Sequence, residues 1–198
     1  MFPNIFMKVR VEYPGPSGEG CGGLLVGLVL CGGESRRMGR DKGLMLKDGM
    51  PWAQHVGQRL DGFARVFYSI HPRQLEAYAA VLPANRLIAD SLDIPGPLNG
   101  LLSAHQLMPG PDILLVACDM LDMDKATLRP LVAAWQGGNA DFYAYGDERL
   151  WQPFGCIYTS RGLGKAGGHG SLQSLLRSGR TQGLPITDAA AFANYNTL

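Results

Sequence analysis

Short apolar runs alternate along this chain with stretches where apolar side chains recur every three or four positions. Leu24 to Cys31 is an unbroken run of apolar or small residues, the pattern of a strand buried on both faces. A helix is expected from near Pro51, because proline's fixed φ suits a first helical turn. Arg65 to Ile70 reads as a short strand and Arg73 to Val81 as a helix. Arg86 to Ala89 reads as a third strand, ending at Asp90. After the Pro95-Gly96-Pro97 loop, Leu98, Leu101, Leu102, His105 and Met108 recur at helical spacing. Asp112 to Ala117 is a fourth buried strand and leads into Cys118-Asp119. Asp124 can cap the next helix, whose Leu128, Leu131, Val132 and Trp135 form one stripe. Two strands near 140–145 and 154–159, a short helix from Ser171 and a terminal segment complete the pattern.

Strands alternating with amphipathic helices imply crossover units on a mostly parallel sheet with helices on both faces. The expected fold class is therefore α/β, as one layered domain over residues 24–198. Residues 1–23 read as an irregular extension, broken by Pro14-Gly15-Pro16-Ser17-Gly18. Ligands of such sheets bind beyond the carboxyl ends of the strands. Gly32-Gly33, Asp90 and Asp119 all fall at such ends, so three separate loops should face one crevice.

The 198 residues fit one domain with a sizeable core, and 46% hydrophobic with 18% charged residues is ordinary for a globular protein. A net charge of +1 supplies no general field to draw nucleic acid or an acidic membrane. The four cysteines contain no Cys-x-x-Cys, and the four histidines show no ligand spacing. Reduced, structural cysteines are expected, and a zinc site is not. Residues 1–23 carry Lys8, Arg10, Glu12 and Glu19 with no apolar centre, so no signal peptide is read there. The uncharged run Gly20 to Gly33 is too short and glycine-rich to cross a bilayer. A cytoplasmic location without membrane attachment is expected.

Chemistry concentrates where the first strand ends, in Gly32-Gly33-Glu34-Ser35-Arg36-Arg37-Met38-Gly39-Arg40-Asp41-Lys42-Gly43. Paired glycines let backbone N–H groups approach phosphate oxygens, and Arg36, Arg37 and Lys42 add permanent cations. Two familiar phosphate loops are excluded. Lys42 is followed by Gly43, so G-x-x-x-x-G-K-[ST] is absent, and no G-x-G-x-x-G follows the first strand. Nor does an acidic residue end the second strand at Ser69-Ile70-His71 to hold a ribose.

The pattern Leu30-Cys31-Gly32-Gly33, Ser35-Arg36-Arg37-Met38-Gly39, Asp41-Lys42 resembles the signature of the molybdenum cofactor guanylyltransferase family. The likeness continues through Pro51 to Val56, Asp90-Ser91, Pro95 to Gly100, Ala117 to Met120, Gln152-Pro153 and Asn194 to Thr197. It covers about residues 24–198. The resemblance implies a Rossmann-like nucleotidyltransferase, of the nucleotide-diphospho-sugar transferase type, that joins GMP from GTP to the terminal phosphate of molybdopterin and releases pyrophosphate. Leu30, Cys31, Gly32 and Gly33 would then cradle the nucleotide and Lys42 its phosphates. Asp90 would lie in the nucleotide pocket, with Ser69 where related chains often place Asn. Asp119 would bind Mg²⁺, with Asn196 a second contact to metal or nucleotide. Cys31 stands where Ala is more usual. Molybdoenzyme maturation proteins would be its protein partners.

Elementary chemistry agrees with that implication. An acceptor phosphate is already an anion, so attack on an α-phosphorus needs no general base. The protein must align two anions and neutralise charge growing on the leaving group. Arg37, Lys42 and Asp119 with Mg²⁺ suit that work. Three alternatives stay open: a CTP-dependent enzyme of the same cofactor, transfer to another phosphorylated small molecule, and a non-catalytic nucleotide-binding module. Plainer roles stand beside the functional ones. Asp119 can cap a turn, Asp122 and Asp124 can start a helix, and Asp90 can bond its loop through Ser91. Asn194 and Asn196 can be turn residues. His55 and His105 suit packing, and Trp52 and Trp151 belong to a core unless they stack on a pterin. Gly167 to Ser171 reads as a plain loop or flexible lid in preference to the alternative, an anion-binding helix start.

Overall fold

A computed structural model describes residues 23–32 and 41–195. The expectations placed on residues 1–22, Gly33, Arg36, Arg37 and Asn196 lie outside the described residues.

The chain runs β1 (Leu25–Leu30), β2 (Leu46–Lys47), β3 (Met50–Pro51), α1 (Trp52–Leu60), β4 (Arg65–Ile70) and α2 (Leu75–Ala79). It continues through β5 (Leu87–Ala89), α3 (Pro97–Leu107), β6 (Asp112–Ala117) and α4 (Lys125–Gly137). Then follow β7 (Phe142–Asp147), β8 (Leu150–Trp151), β9 (Cys156–Tyr158), α5 (Ser160–Leu163), α6 (Leu172–Ser178) and β10 (Thr181–Leu184). One sheet has the order β10-β7-β9-β6-β1-β4-β5, with β8 paired to β7. β1 lies parallel between β4 and β6, and β5 extends the parallel set beyond β4. β9 runs antiparallel between β6 and β7, which turns β7 and β10 back to the direction of β1.

Side chains of β1 alternate between two cores because strand residues point to opposite faces in turn. Leu25, Val29 and Cys31 pack under α1, α2 and α4, among Trp52, Val56, Tyr78, Leu128 and Trp135. Val26, Leu28 and Leu30 pack under α3, α5 and α6, among Leu98, Leu101, Leu163 and Leu175. Helices thus cover both faces, as the pattern required. Asp124 caps α4 by accepting from Thr127 N at 2.8 Å. Ser171 caps α6 in the same way through Ser174 N.

Several boundaries differ from the sequence expectation. Pro51 is the residue before α1 rather than its first turn, because it pairs with Leu46 in a two-strand ladder. The helix expected over 73–81 is a 3-10 turn at Pro72–Gln74 followed by the short α2. His71 causes the change: its Nδ1 accepts from Arg73 N, and its own N–H donates to Gln74 Oε1. Local side-chain bonds of this kind favour a tight turn over a regular helix start.

Candidate functional site

The parallel strands β1, β4, β5 and β6 deliver four chain ends to one crevice. Beyond β1, Cys31 N and Gly32 N both donate to Ser69 O, at 2.8 and 3.1 Å, so the first glycine stays against the end of β4. Asp90 N donates to Ile70 O at 2.9 Å and Cys118 N to Leu30 O at 3.0 Å. The tips of β4 and β5, and of β1 and β6, are therefore fixed to each other by backbone bonds.

Gly32 is required where it stands. A Cβ on it would lie 2.7 Å from Asp90 Oδ2 and 3.1 Å from His71 N. Glycine's bare backbone is what lets this turn approach the neighbouring strand ends. Asp90 is half-buried there, and its Oδ1 accepts from Ser69 Oγ at 2.6 Å. Burial raises the Asp90 carboxyl above the ordinary carboxylate range, opposed by the Ser69 hydrogen bond and by His71. The plainer alternative, a bond from Asp90 through Ser91 to its own loop, gives way to another arrangement: Ser91 N donates to Ser103 Oγ at 2.9 Å. Asp90 thus faces the Gly32–Ser69 pocket.

On the other side of β1, Lys42 Nζ meets Asp119 Oδ2 at 2.8 Å, bridging 77 positions of sequence. Both side chains are mostly buried, at 20% and 16% exposure. The cation and the carboxylate named as catalytic from sequence therefore converge. Asp119 is also held through its carbonyl, which accepts from Tyr195 N at 2.9 Å. Tyr195 in turn donates its hydroxyl to Asp122 Oδ2 at 2.6 Å and sets its ring edge-on to Trp52. Asp124 is thus the helix-start residue its plainer reading made it, whereas Asp122, read the same way, is instead a partner of the C-terminal segment.

Several residues of this crevice carry little signal in the sequence. Asp41 stands there only as the neighbour of Lys42, yet it accepts three hydrogen bonds, from Gly43 N, Tyr78 Oη and Gln74 Nε2. Gly100, in the middle of α3, is a close-approach glycine: a Cβ there would lie 2.2 Å from Ser69 Oγ and 2.7 Å from Leu30 Cδ2. A glycine inside a helical pattern is the available signal for it. Trp52 and Trp151 are both packed in the core. Trp52 is fully buried and Trp151 is 5% exposed. Cys31 and Cys118 are buried free thiols packed at the strand ends, and burial, the largest cause, followed by contact with Cys118, pushes the Cys31 thiol up.

A metal at this crevice would have Asp119 as its protein ligand. Among the described residues no group of three or more His, Cys, Asp or Glu side chains could hold a metal ion. That donor set fits a hard cation that keeps waters and takes phosphate oxygens with one or two carboxylates, as Mg²⁺ does. No described helix is long and apolar enough to cross a membrane.

Comparison with known proteins supports the same reading of the chain. Residues 27–182 match the MobA-like NTP transferase domain. A molybdenum cofactor guanylyltransferase of Pseudomonas putida is 31% identical over 86% of this chain and 92% of its own length. A molybdenum cofactor biosynthesis bifunctional protein of Synechocystis is 34% identical over 70% of this chain, which spans 40% of that longer protein. Among solved structures, molybdopterin-guanine dinucleotide biosynthesis protein A from Archaeoglobus fulgidus superposes with a TM-score of 0.71. That match, at 20% identity over 86% of this chain and 92% of the other, establishes the shared fold. This chain belongs to the MobA-like family of nucleotidyltransferases.

Proposed function

We propose that this protein transfers GMP from GTP to the terminal phosphate of molybdopterin, forming the guanine dinucleotide cofactor and pyrophosphate. The observation that carries this reading is the 2.8 Å meeting of Lys42 and Asp119 beside the Gly32–Asp90 pocket. The name of the P. putida relative, aligned over 92% of its length, supplies the nucleotide and the cofactor pathway.

An oxygen of the acceptor phosphate attacks the α-phosphorus of GTP and forms the new P–O bond. The α–β phosphoanhydride breaks, and pyrophosphate leaves with the bonding electron pair. No proton needs to move, because the nucleophile is an anion from the start. Lys42 lies where a triphosphate crossing the end of β1 would reach Asp119, and its ammonium offsets charge growing on the leaving oxygen. Asp90, held by Ser69, presents acceptor oxygens in the pocket that Gly32 opens. Guanine carries adjacent N1–H and N2–H donors that can pair with both oxygens of a carboxylate, whereas the corresponding edge of cytosine offers the N4 amino donor alone, beside the acceptors N3 and O2. An ionised Asp90 in the base pocket therefore favours GTP over CTP. Mg²⁺ on Asp119 would supply further neutralisation of phosphate charge. Gly33 and Arg37 complete the proposed nucleotide grip, and Asn196 the proposed metal contact. A place inside the cell fits this use of a cytosolic nucleotide.

Pyrophosphate release measured with GTP, CTP, UTP and ATP in turn, with Mg²⁺ and molybdopterin present, tests the proposal. GTP should be preferred by at least tenfold. A preference for CTP would assign the cytosine dinucleotide cofactor, and no release with any nucleotide would leave only a binding role.

A further inference from the structure

Asp41 has a set of neighbours that a merely solvated loop carboxylate does not gather. Its Oδ1 accepts from Gly43 N at 3.0 Å and from Tyr78 Oη at 2.7 Å, and its Oδ2 accepts from Gln74 Nε2. The orientation of the Gln74 amide is fixed independently, because His71 N–H donates to Gln74 Oε1 at 2.7 Å. The amide nitrogen must then face Asp41. All three partners are donors, and an ionised carboxylate is the one side-chain group that only accepts.

Gly43 belongs to the same device. A Cβ there would stand 2.1 Å from Tyr78 Oη, so glycine is what lets the phenol reach the carboxylate. Asp41 also starts the 3-10 turn Lys42–Leu44, with Leu44 N donating to Asp41 O at 3.3 Å and Met45 N to Lys42 O at 3.1 Å. The residue between the anchored Asp41 and the anchored Gly43 is Lys42, whose ammonium is 2.8 Å from Asp119. A lysine has four side-chain torsions to order, so the position of its backbone decides how much that ordering costs.

We propose that Asp41, clamped by Gln74, Tyr78 and Gly43, is a positioning residue for Lys42. It ties the start of the lysine turn to the corner after β4, the same strand whose Ser69 carbonyl holds Gly32. Nucleotide pocket and phosphate cation are thereby referenced to one rigid element. The inference rests on the role given to Lys42 above, but the anchor itself can be tested without turnover.

The reciprocal exchange Asp41→Asn with Gln74→Glu provides the test. Asp41→Asn alone sets the new amide against the Gln74 amide, donor to donor. Gln74→Glu alone sets two carboxylates together. The double variant restores one donor and one acceptor, and the carboxylate introduced by Gln74→Glu can still accept from His71 N–H. Two readouts are taken on each protein: amide hydrogen exchange at Gly43 and Leu44, and kcat and KM for GTP-dependent pyrophosphate release. Each single variant should speed exchange at least tenfold and lower kcat at least tenfold, with the melting temperature and the affinity for GTP little changed. The double variant should return both readouts to within threefold of wild type. Tyr78→Phe, which removes only the hydroxyl, should reproduce the exchange effect if either single variant folds poorly. Unchanged exchange in the single variants, or a double variant as impaired as the worse single one, would overturn the anchor. A parallel fall in melting temperature that accounts for the lost activity would reduce it to a stability element. Should the wild type turn over no nucleotide, the proposed function fails while the exchange data still decide the anchor.

Discussion

Replacing Gly100 with alanine adds one methyl group to the floor of the nucleotide pocket, and the structure sets its cost. The new Cβ would sit 2.2 Å from Ser69 Oγ, 2.7 Å from Leu30 Cδ2 and 3.2 Å from Ser69 Cβ. Real Cβ atoms essentially never come within 3.0 Å of a neighbour, so the serine must rotate or α3 must lift. Rotation breaks the 2.6 Å bond from Ser69 to the half-buried Asp90 carboxylate. Overpacking costs about 1–3 kcal/mol, and loss of a hydrogen bond to a charged group about 1.5–3 kcal/mol. Alanine's better helix propensity returns about 1 kcal/mol. The net loss is about 1.5–5 kcal/mol, which lowers the melting temperature of a domain this size by about 3–20 °C. GTP affinity, measured by calorimetry, should fall as Asp90 loses its orientation. Gly110→Ala, where a Cβ meets nothing within 4 Å, is the control and should stay within about 0.5 kcal/mol of wild type. A double-mutant cycle with Ser69→Ala sharpens the test, because removing Oγ removes the closest clash. Ser69→Ala should therefore cost less in the Gly100→Ala background than alone. Strict additivity, or a Gly100→Ala protein as stable as wild type, would refute the packing argument.

Two further outcomes concern pH. Asp90 is raised above the ordinary carboxylate range, mainly by burial, so it takes up a proton earlier on acidification than an exposed aspartate. Its ionised form costs stability at neutral pH, and that cost is relieved as the pH falls through the raised value. GTP binding should weaken over the same interval, and Asp90→Asn should flatten that pH dependence. An unchanged profile in the variant would assign the titration elsewhere. Asp141 behaves oppositely. Burial works against its charge, but the Arg180 backbone N–H, Lys165 and Arg161 outweigh it and hold the carboxyl below the ordinary range. That stability is present above the ordinary aspartate value and is lost as pH falls through the lower folded value. Asp141→Asn should be less stable than wild type in urea at pH 7, with the gap closing below about pH 4. A constant gap would show that charge is not involved.

Much of this architecture is legible in the sequence because its signals are periodic. Arg65–Ile70 and Asp112–Ala117 are bounded as the apolar pattern places them, since buried parallel strands read as unbroken apolar runs. Asp124 as a cap and Ser171 as a helix start are readable because their chemistry is local. Short elements set by pairing are not readable. The two-residue strands β2, β3 and β8 are too short to show a period, and the edge strand β10 carries one large apolar side chain, so their partners are chosen by tertiary contact. In the site, the meeting of Lys42 with Asp119 follows from the rule that loops after parallel strands share one crevice. The Asp41 clamp does not follow, because Gln74 and Tyr78 lie 33 and 37 positions away and no spacing rule joins them.

The most direct measurement is the rate of GMP transfer from GTP by Asp119→Ala, followed in a single turnover beside a thermal melt of the same preparation. Loss of the carboxylate that meets Lys42 should slow transfer on the order of 10²–10³-fold while the melt stays cooperative and near that of wild type. Transfer at the wild-type rate, in a protein folded as wild type, would contradict the assignment of this crevice as the place where pyrophosphate departs.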